Sequence, residues 1–325
     1  MNMSAPETPN TPFEDALENL QDADELLMPL LVYHLSDMEG EKIRQFEEAW
    51  ENVPIERKRA LLEEMEQLVE ENYLLSYEAV SCIGIHDDDP HTRFLAARSF
   101  YIYETVEMIP TLLNLLENDP DRDVRAACAS SLGKFTYLGE IEEICPQRHK
   151  DIIACLIKTV RGNEPKKVRR HALEALGYVT HKDVPPLIEN AYGRDDVDWQ
   201  VSALFAMGRS YDRRWKAKVL RMLDHQHPKI RLEAARAAGE IHIKEAIPDL
   251  IELLDDEETR STAIWALSQV GGQDEERLLQ RILDKTRDPG EARYIQDALD
   301  NLAFNMHIDH FDMMDFSDQE DDLLD

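Results

Sequence analysis

Residues 165–177 read PKKVRRHALEALG. A charged start, a central histidine and a closing glycine suit a metal-binding helix, and equally one copy of a structural unit. The rest of the chain decides, because the segment matches itself elsewhere. Counted from the position of Val168, copies begin at Thr92 (TRFLAARSFY), Val124 (VRAACASSLG), Val168 (VRRHALEALG) and Trp199 (WQVSALFAMG). Two more begin at Ile230 (IRLEAARAAG) and Thr259 (TRSTAIWALS), and a degraded one at Ala292 (ARYIQDALDN). Their second positions are Arg93, Arg125, Arg169, Gln200, Arg231, Arg260 and Arg293, in steps of 32, 44, 31, 31, 29 and 33 residues. A near-constant period of this size marks a solenoid.

Each copy follows an acidic or proline-bearing turn, such as DDDP before Thr92, NDPDRD before Val124 and DDEE before Thr259. Asp caps the bare N–H groups of a helix start, and Pro fits the first turn. Gly133, Gly177, Gly208 and Gly239 share one register position, where the helix packs closely or ends. Ala96, Cys128, Ala172, Ala203, Ala234 and Ala263 share another, and small side chains there let helices approach. Between copies lie further stretches with apolar residues at helical spacing: MIPTLLNLLE (108–117), VPPLIENAY (184–192) and AIPDLIELLD (246–255). Each unit is helix, turn, helix, and is too small to bury its apolar face alone. Stacked neighbours must supply one continuous core. The predicted fold is all-α, a right-handed superhelix of helix pairs with a helical N-terminal cap.

The pattern DPxxxVRxxAxxALG resembles the HEAT-like repeat first described in phycobilisome lyases, over about residues 86–304. The phrases FAMGRS, EAARAAGE and AIWALSQVGG are similar to a bacterial branch of HEAT-repeat proteins without assigned chemistry. The resemblance implies second helices that line a concave face. It also brings the alternative reading of a lyase or chromophore-handling chaperone. Iron-binding HEAT enzymes similar to deoxyhypusine hydroxylase use His-Glu dipeptides, and none of the eleven histidines here is followed by Glu.

Outside the copies, residues 1–12 are rich in Pro, Thr, Ser and Asn and are expected to be disordered. Residues 13–85 read as amphipathic helices without the repeat signature, including EKIRQFEEAW (41–50) and ERKRALLEEMEQLVE (56–70), and form the cap. The tail at 305–325 mixes acids with Ile, Phe, Met and Leu, a composition that suits docking on a partner as well as solubility. The one long step contains FTYLGEIEEICPQRHK (135–150), which lengthens a loop or a helix between the second and third copies.

The formal net charge is -31, and it is uneven. Residues 1–41 hold ten acids and residues 305–325 eight, with no Lys or Arg in either segment. Such a chain repels phosphates, so neither nucleic acid nor an anionic membrane surface is an expected partner. No apolar run is long enough to span a bilayer. The start has no basic region and no apolar core of a secretory signal. Cys82, Cys128, Cys145 and Cys155 show no CxxC spacing, so reduced thiols in the cytoplasm are expected.

No site for chemistry assembles from the residues. His171 takes a place that is Ala127, Ser202 or Glu233 in sister copies, so it reads as a packing or surface residue. CPQRHKDIIAC (145–155) has the wrong spacing for a zinc knuckle and lacks a fourth ligand. His307 and His310 lie in the tail. Catalytic residues, cofactor and metal are therefore not expected. The repeated second-position Arg is expected to bridge to an acid in a neighbouring turn, forming a ladder. The binding surface is expected elsewhere, on the third, seventh and eleventh positions of each copy, which share a face by i, i+4 spacing. Arg98, Arg170, Arg209 and Arg236 collect there with Tyr178, Phe205 and Trp265. Arginines and aromatics dominate binding hot spots. The expectation is a non-enzymatic scaffold that takes a protein or acidic peptide in this groove, with the acidic tail as a possible occupant.

Overall fold

The computed structural model describes the backbone of residues 13–22 and 28–321, and side chains as far as His307 apart from Pro29. Among these residues there is no strand. The chain is an all-α helical solenoid whose contacts fall into two units, Met1–Leu176 and Gly177–Asp325. The expected disorder at 1–12 concerns residues outside those described.

The first unit holds α1 (Phe13–Gln21), α2 (Pro29–Val32), α3 (Glu41–Trp50), α4 (Ile55–Glu71) and α5 (Glu78–Gly84). It continues with α6 (Pro90–Ser99), α7 (Ile109–Asn118), α8 (Arg122–Glu140), α9 (Pro146–Arg161) and α10 (Lys166–Ala175). The second holds α11 (Val184–Tyr192), α12 (Val197–Arg209), α13 (Lys216–Leu223) and α14 (Pro228–Glu240). It ends with α15 (Ile247–Glu252), α16 (Arg260–Val270), α17 (Gln273–Leu283) and α18 (Pro289–Asp321). From α5 onward the helices alternate. Odd-numbered helices pack on the even-numbered helix that follows, and even-numbered helices pack on one another: α4, α6, α8, α10 in the first unit and α12, α14, α16, α18 in the second.

The register read from the sequence explains this row. Ala96, Cys128, Ala172, Ala203, Ala234 and Ala263 are all fully buried. The shared glycines mark close packing. A Cβ at Gly133 would lie 3.2 Å from the Cα of Ala175, and one at Gly239 would lie 3.1 Å from the Cα of Ala266. Each glycine thus faces an alanine of the next even-numbered helix. Helix starts follow the turn chemistry in part. Asp89, Asp121 and Asp196 cap α6, α8 and α12 through side-chain hydrogen bonds. By contrast α10 and α14 start at Pro165 and His227 without a side-chain cap, and at α16 the Thr259 hydroxyl donates to the carbonyls of Leu253 and Asp256 instead of capping the helix.

The arginine ladder is present. Arg93 donates from Nε and Nη2 to Asp119 (2.8 and 3.1 Å) and from Nη1 to the carbonyls of Asp87 and Asp88. Arg125 repeats the arrangement with Glu164 and the carbonyls of Asp119 and Pro120. Arg231 does so with Asp256 and the carbonyls of His225 and Gln226, and Arg260 with Glu291 and the carbonyl of Leu254. Each guanidinium closes its own turn with one arm and reaches the next turn with the other, a use of the planar fork that an ammonium cannot copy.

The N-terminal helices continue this scheme without the repeat signature. Arg59 of α4 makes a two-point contact with Asp89 (3.0 and 2.7 Å), so the ladder has a rung ahead of the first copy. That guanidinium, against the opposing effect of burial, holds the Asp89 carboxyl well below the usual carboxylate range. Buried Arg57 donates to the carbonyls of Asn19 and Asp22 and so ties α4 to the C-terminal end of α1. The extra residues at 135–150 lengthen helices, not a loop: α8 has 19 residues and α9 has 16. At the other end, α18 runs through the expected boundary at 304 and carries the acidic segment in the same helix to Asp321.

Candidate partner-binding face

The second unit gathers Tyr178, Phe205, Arg209, Arg236 and Trp265 along one strip. Phe205 and Arg209 stand one turn apart on α12. The guanidinium of Arg209 lies over the Phe205 ring (5.2 Å to its centroid) and over the Tyr178 ring (5.5 Å), so it sits between two aromatic faces. Its Nη1 approaches Glu240 Oε1 on α14 at 3.4 Å. Glu240 occupies the space over Gly208, where a Cβ would collide with Oε2. Arg236, one turn before Glu240, contacts Glu233 at 3.3 Å. Trp265 lies against Gly239, where a Cβ would come within 2.7 Å of ring atom Cζ3. Tyr178, Phe205 and Trp265 are all half-buried, neither core nor free in solvent.

In the first unit the same register positions behave differently. Arg98 of α6 lies 5.3 Å over the Phe94 ring and pairs with Glu66 of α4. Lys167 of α10 reaches 5.7 Å from the same Phe94 ring and also pairs with Asp123 of α8. Residues from α6 and α10 therefore meet over α8, whose residue here, Ala126, is small and buried. The face at this point is partly filled by its own side chains. Arg170 approaches Glu174 at 3.6 Å, one turn along α10. His171 contacts Ser130 Oγ at 2.8 Å and Glu174 Oε2 at 3.2 Å, and so belongs to a polar cluster between α8 and α10.

Each of the four arginines singled out in the sequence thus already has a carboxylate in its own chain: Glu66, Glu174, Glu240 and Glu233. Sequence reasoning had no partners for them, although spacing contained the signal. Arg170 and Glu174 are four apart, Glu233 and Arg236 three apart, and Arg209 and Glu240 hold the same eleventh position in successive copies.

Glu240 is the electrostatic weak point. Burial holds its carboxyl above the ordinary value, against the pull of Arg209 and Arg236. In the unfolded chain it ionises near 4.5. Between that value and the higher folded one, the unfolded chain sheds its proton first. Stability therefore falls as pH rises through this window and is level above it. Glu240→Gln removes that titration. Its melting temperature relative to the wild type should rise as the pH is raised above 4.5 and then level off, and a constant difference throughout the titration would refute the assignment.

Among the described residues no group of three or more His, Cys, Asp and Glu could hold a metal ion. Cys145 is exposed, whereas burial pushes the Cys155 thiol up to about 11. No described helix is long and apolar enough to cross a membrane.

Residues 217–300 match the family model for HEAT repeats, and residues 108–138 match that of the HEAT repeat. This chain carries HEAT repeats. The two matches fall one in each unit, the shorter over α7 and α8 and the longer over α13 to α18. No curated protein matches the chain. Among solved structures, the HEAT array is similar to the phycocyanin lyase CpcE–CpcF complex of Nostoc sp. PCC7120. The two are 18% identical, covering 93% of this chain and 98% of that one, with a TM-score of 0.45. It is also similar to YibA of Escherichia coli, at 18% identity, 89% and 92% coverage and a TM-score of 0.42. Importin beta is 12% identical with a TM-score of 0.45; 90% of this chain is covered but only 46% of that one. None of these likenesses assigns an activity to the HEAT array.

Proposed function

We propose that the protein is a non-enzymatic cytoplasmic scaffold that binds an acidic, partly apolar protein segment along the even-numbered helices of its second unit. The observation that carries this reading is the strip Tyr178–Arg209–Phe205–Glu240–Trp265, where half-buried rings flank a guanidinium. Such groups form hot spots because they give large contact area and a charge in one place. The internal pairs do not oppose the reading. Arg209–Glu240 is a long contact of 3.4 Å, and Glu240 is disfavoured as an anion by burial. A partner carboxylate making a two-point contact is the stronger ligand for a guanidinium.

The test is binding of a labelled acidic amphipathic peptide to the full chain. Arg209→Ala and Trp265→Ala should each weaken it by about tenfold or more, the scale of a hot-spot residue. Shortening the chain at residue 308 keeps the Asn305 hydrogen bond to Ser268 and removes most of the acidic segment. That truncation should tighten binding if the segment competes for the strip. Equal affinity of the wild type and both substituted chains would remove the strip as the binding site.

A further inference from the structure

The first unit has a second surface of opposite character. Helices α4 and α6 pack on each other, while α3 and α5, which precede them, flank a groove. Two cavities of about 510 and 470 Å³ follow one another along it and share Glu47, Cys82 and Ile83. Its floor is apolar: Met38 and Trp50 are buried, and Ile43 and Ile83 half-buried. Its rim is acidic. Glu39, Glu47, Glu51 and Asp88 are exposed, and Glu78 stands opposite on α5. The one Lys or Arg among the lining residues, Lys58, is already held by Asp87 at 2.7 Å and lies 5.0 Å over the Trp50 ring. Among the described residues no base pairs with the carboxylates of Glu47, Glu51, Glu78 or Asp88, in contrast to the fully paired strip of the second unit.

We infer that this groove docks an amphipathic helix of a partner protein, with apolar side chains on Ile43, Trp50 and Ile83 and Lys or Arg along both edges. The geometry favours a helix. Ile43, Glu47, Trp50 and Glu51 run down one face of α3, a span of about 12 Å or two turns at 1.5 Å per residue. Glu78, Cys82 and Ile83 do the same on α5, and His86 follows in the turn after it. A guest with anchors at i, i+4 and i+7 matches that length. Among the described residues the carboxylates converge on no single point that would hold a bare metal ion. The lining belongs wholly to the first unit and owes nothing to the arginine strip.

The test uses the full chain and a labelled helical peptide of roughly 15 residues, with Leu at i, i+4 and i+7 and Lys elsewhere, read by fluorescence anisotropy. Glu47→Gln, Glu51→Gln and Asp88→Asn together should weaken binding by about tenfold or more. A control with the same charge removed elsewhere, Glu252→Gln, Glu257→Gln and Glu258→Gln, should change it less than about twofold. Ile83→Ser, which leaves every charge in place, should also weaken binding, with helix content checked by circular dichroism. Equal losses in the groove and control variants would mean attraction to net charge alone and would overturn the proposal. So would full affinity in Ile83→Ser, or no binding to the wild type.

Discussion

Arg93→Ala should destabilise the first unit by about 3–5 kcal/mol, the range seen when one partner of a buried ion pair is removed. Asp119 is the reason. Its side chain is only 2% exposed, and Arg93 supplies two of its hydrogen bonds, with the backbone N–H of Asp121 as a third. Without the guanidinium, a buried carboxylate loses its counter-charge. The carbonyls of Asp87 and Asp88, each bonded at 2.9 Å, lose a donor as well. Arg93→Lys should recover only part of the loss, because an ammonium cannot span Asp119 and both carbonyls at once. Asp119→Ala combined with Arg93→Ala should cost less than the two single changes added, since each single change strands the other partner. Denaturant unfolding of the four proteins measures this directly. A loss under about 1 kcal/mol for Arg93→Ala would put this rung with ordinary surface ion pairs and refute a structural role for the ladder.

Gly177→Val is the second large effect, about 2–3 kcal/mol, at the upper end of what overpacking costs. A Cβ at this position would lie 2.9 Å from Arg209 Cβ, 3.0 Å from Ala206 Cα and 3.2 Å from the Ala206 carbonyl oxygen. None of those atoms can rotate away, because all belong to the α12 backbone or its first side-chain atom. The helix itself must move, and Arg209 with it. Binding at the strip should therefore fall together with stability. Gly193→Ala is the matched control. Its Cβ would meet nothing nearer than 3.4 Å, and the backbone there is in the right-handed helical region. It should stay within about 0.5 kcal/mol of the wild type. Equal behaviour of the two substitutions would mean that Gly177 is not a packing glycine.

Much of this architecture was legible in the sequence because it repeats. Seven aligned segments placed the small residue and the arginine of six copies and the glycine of four, and the geometry buries the small residues, packs the glycines closely and engages Arg93, Arg125, Arg231 and Arg260 as the register placed them. The ladder's extra rung at Arg59 was hidden because ERKRALLEE carries none of the repeat pattern, although it does the same work. The strip was legible as a set of residues but not as a circuit. Periodicity tells which side chains share a face and says little about which carboxylate in the next copy will claim a guanidinium. The groove between α3 and α5 left no trace in any motif. It comes from how far two helices stand apart, and a one-dimensional pattern does not contain that distance.

The glycine–alanine contacts have a mechanical consequence. Where two helices touch through a glycine and an alanine, their separation has no room to shrink and little incentive to grow. The row α12, α14, α16 of the second unit, where Gly208 and Gly239 face Ala237 and Ala266, therefore acts like the spine of a book, stiff along the binding and unable to shorten. Bending within that unit must be taken up by the pages, the odd-numbered helices α11, α13 and α15, which pack on the row through larger side chains.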